Sequence, residues 1–177
     1  MITRLNIILF LFFAVLIACN PNKSEEKKHF PINEKAIKEQ FVKANAQVAQ
    51  KENDDMDSYV STHKMAFVKT NSGLRYFVYK ASAKGDSIRD DSVVIADFTV
   101  SLLDGTECYS TVKEGPKTIV VGHQDMESGL QKALKYLKYG DKAIILIPSI
   151  LAHGLLGDMN KIPPQTPIVY DIQIHAK

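Results

Sequence analysis

Apolar and polar positions alternate along this chain at two periods, and the changes of period mark out its elements. From Val93 to Ser101, residues Val94, Ala96, Phe98 and Val100 fall on one side and Val93, Ile95, Asp97 and Thr99 on the other, the pattern of a strand with one buried face. Ile168, Tyr170, Ile172 and Ile174 alternate with Val169, Asp171 and Gln173 in the same way. The apolar run ending at Pro148 is too short for a helix and rich in isoleucine, which predicts a buried strand. Residues 117–121 supply another, and residues 66–80 alternate around a turn at Thr70-Asn71-Ser72-Gly73.

Helical spacing appears in three places. Met126, Leu130, Ala133, Leu134 and Leu137 form one apolar stripe, with Gly140 as its predicted terminator. Upstream, Asn33 can cap a helix carrying Ile37, Phe41, Ala44 and Val48 on one face. The polar run Lys51–Asp55 predicts a break. After it, Asp54 or Asp55 caps a second short helix whose stripe of Met56, Tyr59, Val60 and His63 packs against the domain. The predicted architecture is an α+β domain, an antiparallel sheet with one helix across its concave face, preceded by a short helical extension.

Between the last two strands lies a loop holding His153, Gly154, Gly157, Asp158, Ile162, Pro163 and Pro164. It reads either as an ordinary strand connection or as the rim of an apolar cleft.

Composition narrows the function classes. The chain is 45% apolar and 24% charged, enough for a packed core. A net charge of +2 gives no electrostatic argument for nucleic acid. No Cys/His cluster has metal-ligand spacing and no glycine-rich loop has a phosphate-binding context, so no metal and no cofactor is expected.

The N-terminal segment has its own logic. Arg4 precedes an apolar run from Ile7 to Ile17, too short to span a bilayer and of the length of a signal-peptide core. Leu16-Ile17-Ala18-Cys19 looks like a bacterial lipobox. That resemblance implies cleavage before Cys19 and acylation of it, and two or more acyl chains make a stable anchor. A plain signal peptide or short membrane anchor is the alternative. Asn20 after the cysteine leans toward the outer membrane by the usual sorting pattern. With Cys19 lipidated, Cys108 has no partner for an intramolecular disulfide. The organisation expected is a signal peptide over 1–18, a lipidated tether over 19–30, a helical extension over 31–65, linking strands over 66–90 and the main domain over 91–177.

Several motifs in that domain occur in a telling order. A strand ending in Ile147-Pro148 leads to Ala152-x-Gly154, then Gly157 and Ile162-Pro163-Pro164, then Val169-Tyr170-Asp171-Ile172. Upstream stand the turn Leu102-Leu103-Asp104-Gly105-Thr106, the pair Val121-Gly122, the run Gly129–Leu134 and the turn Lys138–Lys142. Together they resemble the FKBP-type peptidyl-prolyl isomerases over residues 91–177. The lead-in Asp57-Ser58-Tyr59-Val60 with His63, followed by Thr70 and Ser72-Gly73-Leu74-Arg75-Tyr76, resembles lipoprotein members of that family, especially those associated with gliding motility.

This resemblance implies a site. Phe98 stands where the family usually has Tyr, and Tyr170 where it usually has Phe. Ile119 and Leu130 replace aromatic positions, Leu130 that of the Trp floor, and Ile162 matches well. Met126 and Glu127 occupy the segment whose backbone binds the peptide. His153 stands at a Tyr whose hydroxyl donates to the ligand, a role imidazole can fill in a pH-dependent way. The departure is Cys108-Tyr109 in place of Phe-Asp, which exchanges a wall aromatic for a thiol and a carboxylate for a phenol. The implied activity is cis–trans isomerisation of X-Pro bonds in exported proteins. The implied partners are proline-containing polypeptides and, through the anchor, the outer membrane. A non-catalytic binding module and a structural lipoprotein of a motility or secretion machine are the rival readings.

Overall fold

A computed structural model of the chain describes residues 33–123 and 126–177. The signal segment, Cys19 and the tether expected from sequence lie outside the described residues. The chain divides into two units, Met1–Ile37 and Lys38–Lys177. In the first, the side chain of Asn33 accepts a hydrogen bond from the Ala36 amide at 3.1 Å. That is the expected cap, and it opens helix α1, Glu34–His63.

In the second unit, β1 (Val68–Lys69) and β2 (Arg75–Lys80) form a hairpin, and β3 (Val93–Leu102) turns into β4 (Glu107–Ser110). Strand β5 (Lys117–Val120) precedes helix α2 (Ser128–Leu134), and β6 (Lys142–Ile147) and β7 (Ile168–Ile174) complete the sheet. A short 3-10 turn, Ser149–Leu151, follows β6. The strand order is β1-β2-β6-β7-β3-β4, with β5 pairing the first half of β3. Every strand pairing is antiparallel.

The period-2 reading of β3 is met residue by residue. Val94, Ala96, Phe98 and Val100 are buried, and Val93 and Ile95 are exposed. The same alternation brings Phe98 opposite Ile172 and Val100 opposite Tyr170 on β7. These side chains and the α2 residues Leu130, Ala133 and Leu134 form one core. Helix α2 can lie close because residue 129 is glycine. A Cβ there would sit 2.2 Å from Ile147 Cγ2 and 2.9 Å from the Leu151 carbonyl oxygen.

Two helical expectations are corrected. Lys51–Asp55 does not break the chain, and α1 runs for 30 residues without interruption. The run has no glycine or proline. Its polar side chains are used within the helix, with Gln50 donating to Asp54 at 2.8 Å and Lys51 to Asp55 at 2.6 Å. Helix α2 ends at Leu134, short of Gly140, and Met126 precedes it rather than lying on it. Leu137 is buried from a turn beyond the helix, where its carbonyl accepts from the Ile88 amide.

The last turns of α1 pack on the face of the sheet away from α2. Met56 joins Leu146 and Val169 in a second small core, flanked by Tyr59, Val60 and Phe67. Farther up the helix Phe41 is 66% exposed and Ala44 is exposed, with Val48 half-buried, so the earlier stripe is not core.

Polar anchors fix the docking. Arg75, 1% exposed, donates through Nε to Asp57 Oδ1 at 2.9 Å, through Nη1 to the Gly73 carbonyl at 2.9 Å, and through Nη2 to the Asn53 carbonyl at 3.1 Å. The buried Glu52 carboxylate accepts from the Ser149 amide at 2.9 Å and its hydroxyl at 2.5 Å. The predicted break is therefore the part of the helix that holds the domain.

Candidate functional site

The site residues predicted from sequence converge between β3, β4, β5, β7, α2 with the residues just before it, and the loop after β6. Phe98 on β3 and Tyr170 on β7 face inward with ring centroids 5.2 Å apart. Cys108, Ile119, Leu130, Ile162, Phe98 and Tyr170 belong to one buried cluster, and Tyr109 and Met126 pack against it. Ile119 and Leu130 are fully covered, and Cys108 is 1% exposed. These three back the site from within. The side chains that reach solvent are those of Tyr109, Met126, Glu127 and His153.

Two polar groupings sit on this apolar base. In the first, the Tyr109 phenol donates to Asp158 Oδ2 and accepts from Asn160 Nδ2 at 3.3 Å. Asp158 Oδ1 accepts from the amides of Asn160 at 2.9 Å and Ile162 at 2.8 Å. Lys161 Nζ lies 5.1 Å from the Tyr109 ring centroid and donates to the Cys108 carbonyl at 2.7 Å. The loop is thus pinned to β4. Partial burial tends to raise the Asp158 pKa, but the phenol, the two amides and nearby His153 outweigh it and hold the group at about 2. The hydrogen bond to Asp158 raises the Tyr109 phenol in turn. Burial raises the Cys108 thiol, which keeps it protonated and unreactive.

In the second grouping, Glu127 stands immediately before α2 and makes no side-chain cap to it. Its carboxylate instead accepts from the Tyr170 hydroxyl at 2.8 Å. His153 Nε2 lies 3.1 Å from the other oxygen, away from regular hydrogen-bond geometry. Burial, with Glu127 adding to it, pushes the Tyr170 phenol far above its ordinary range, so the ring remains a neutral donor.

Sequence reasoning missed two of these contributors. Asp158 appeared only as part of a loop, and Glu127 only as a backbone position. Signals were present, namely a carboxylate four residues before Ile162 and another among apolar residues at the start of the α2 stripe. Neither spacing reveals a partner on a distant strand. Among the described residues no group of three or more His, Cys, Asp or Glu is arranged to hold a metal ion.

With this geometry in place, the comparisons with known proteins decide the family. The model of the FKBP-type peptidyl-prolyl cis-trans isomerase family matches residues 85–175, just over half of the chain. The chain belongs to this family. The isomerase FkpA of Buchnera aphidicola is 30% identical over 106 residues, covering 60% of this chain and 43% of that protein. FkpA of Escherichia coli is 32% identical over 108 residues, covering 60% and 39%. The chain thus spans about two-fifths of the length of these curated relatives. A peptidyl-prolyl cis-trans isomerase from Pseudomonas syringae shares the fold, with a TM-score of 0.63 at 22% identity, covering 74% of this chain and 93% of that one.

Proposed function

We propose that this FKBP-type domain catalyses cis–trans isomerisation of X-Pro bonds in exported polypeptides, and that the chain is a lipoprotein anchored in the outer membrane and facing the periplasm. The observation that carries the catalytic reading is the inward pair of Phe98 and Tyr170, 5.2 Å apart and backed by buried Ile119, Leu130 and Ile162. Rotation about a peptide bond faces a barrier of roughly 18–20 kcal/mol because amide resonance is lost. Twisting the amide also reduces its charge separation. An apolar, water-poor wall therefore favours the twisted state over the planar one, and this differential binding lowers the barrier. The reaction breaks no bond to hydrogen, so it needs neither a nucleophile nor an acid/base pair.

Each surrounding group has a place in this reading. The proline ring approaches over the part-exposed Tyr109, Met126 and His153, and Phe98, Tyr170 and Ile162 form the buried apolar wall behind them. Tyr109, held by Asp158 and Asn160, borders the opening and supplies a neutral phenol. His153 offers a ring nitrogen to a peptide carbonyl. The lipid anchor rests on Leu16-Ile17-Ala18-Cys19, and the affinity to lipoproteins associated with gliding motility rests on the Asp57–His63 and Thr70–Tyr76 motifs. Proline-containing segments of exported proteins are the partners.

The test is a protease-free isomerisation assay by exchange NMR on short X-Pro peptides, run beside Phe98→Ala and Tyr170→Ala. Wild-type turnover above the uncatalysed rate, lost in variants that still bind peptide, supports catalysis. A folded wild type that leaves the uncatalysed rate unchanged yet binds the peptides makes the domain a binding module.

A further inference from the structure

The Glu127 carboxylate is out of place for a group of its kind. Its side chain is 15% exposed and lies beside the apolar base of the site. Withdrawing a carboxylate from water is costly unless a cation or several donors compensate it. The usual compensation for a carboxylate at the start of a helix would be a cap, and Glu127 makes none. Its contacts are a neutral phenol at 2.8 Å and an imidazole at 3.1 Å, the latter cationic only when protonated.

The neighbouring charges do not neutralise it. Asp158 is a second carboxylate, and it senses the same imidazole. The nearby ammonium, Lys161, is committed to the Cys108 carbonyl and the Tyr109 ring. Among the described residues, then, the group that can turn cationic against Glu127 is the His153 imidazole. A carboxylate can accept about four hydrogen bonds, and one regular bond is made.

Position completes the argument. The Tyr170 ring packs against Phe98 at a tilt of 59°, and its hydroxyl touches Glu127. Glu127, part-exposed above the buried Tyr170, therefore borders the apolar wall, within reach of the side chain of a residue adjoining a proline bound there.

We propose that Glu127 is a specificity-determining residue that selects proline peptides carrying a lysine or arginine next to the proline. The proposal rests on the reading of this cleft as the X-Pro site. A cationic side chain supplies the compensation that the protein withholds, and an acidic one meets a like charge.

The experiment is an NMR titration of the isotope-labelled protein with Ala-Xaa-Pro-Phe peptides, Xaa being Lys, Arg, Leu or Glu, at neutral pH and low salt. Exchange rates are measured on the same samples. The expected result is binding of the Lys and Arg peptides about tenfold tighter than the Glu peptide, with the shifts centred on Tyr170 and α2. The spread should contract to less than about twofold in Glu127→Gln and shrink on raising the salt. Tyr170→Phe, which keeps the carboxylate, should preserve the order. Equal affinities in the wild type, or an unchanged spread in a folded Glu127→Gln, overturn the proposal. If Glu127→Gln does not fold, an unchanged wild-type spread at high salt overturns it. Charge-selective binding without faster exchange leaves the selectivity standing and removes the isomerase reading instead.

Discussion

The Tyr109 phenol donates its proton to Asp158, a residue 49 positions further along the chain, and this contact ties the loop after β6 to strand β4. The carboxyl group of Asp158 is held at about 2 against an ordinary 3.8. A folded pKa below the unfolded one means that the ionised form stabilises the fold. Its contribution is complete above the ordinary value and fades as the pH falls from 3.8 toward about 2. We expect wild type to lose stability over this window more steeply than Asp158→Asn, which cannot titrate. Urea midpoints at a series of acidic pH values check this, and parallel curves for the two proteins exclude it.

Replacing Tyr109 by Asp should damage the loop. The new carboxylate would face Asp158 where the phenol now donates, exchanging an attraction for a repulsion. Asp158→Asn in the same chain should restore much of the loss, because an amide can donate to the introduced carboxylate. A double-mutant cycle in denaturant gives the coupling, and additive losses would show that the two side chains act independently.

Phe98 and Tyr170 are 9% and 1% exposed. Each changed to Ala should cost about 3–5 kcal/mol, the range for emptying a buried aromatic site, with Tyr170 nearer the upper end. Tyr170→Phe keeps the ring and removes the donor to Glu127, so its cost should be about 1–3 kcal/mol. Denaturant melts of the three variants measure these losses. A near-neutral Tyr170→Phe would mean that Glu127 finds water in place of the phenol.

Arg75→Lys should loosen helix α1. The planar guanidinium reaches Asp57, Asn53 and Gly73 at once, and an ammonium has neither the fork nor the donors to do so. Leaving one of these acceptors unpaired costs about 1–3 kcal/mol. Amide exchange in residues 53–63 should quicken relative to strands β3 and β7. Uniform quickening would instead show that the helix and sheet unfold together.

Cys19→Ser should release the protein from membranes or leave it unprocessed, since the acyl chains would supply the membrane affinity. Incorporation of a labelled fatty acid provides the measurement. Equal labelling of wild type and variant removes the anchor from the proposal.

Much of this architecture was legible because burial imposes a period on the sequence. The inward positions of β3 and of Tyr170 on β7 follow from alternation alone, whereas the adjacency of those two strands is seen only in the fold. Helix α1 was misread at Lys51–Asp55 because a dense polar run looks the same whether it is solvated or docked. Only the fold shows that Glu52 meets Ser149 and that Asn53 and Asp57 meet Arg75. The end of α2 was misplaced for a related reason, because Leu137 continues the apolar stripe from a turn. Site polarity was the least legible part. Side-chain identities at 109, 127 and 158 give no sign of the long-range pairs they form, and such pairs carry no local spacing.

The sheet order has a consequence for how the molecule comes into being. Among the described strands β7 comes last in the chain, yet it lies in the middle of the sheet, hydrogen-bonded to β3 on one side and β6 on the other. Until its seven residues emerge, β3 and β6 have no common neighbour, and the apolar faces of both stay open. Pairings between residues so far apart in sequence close slowly, since loop entropy is lost before contacts repay it. The sheet therefore cannot close strand by strand as the chain emerges. Its central pairings form only once β7 is available to join β3 and β6.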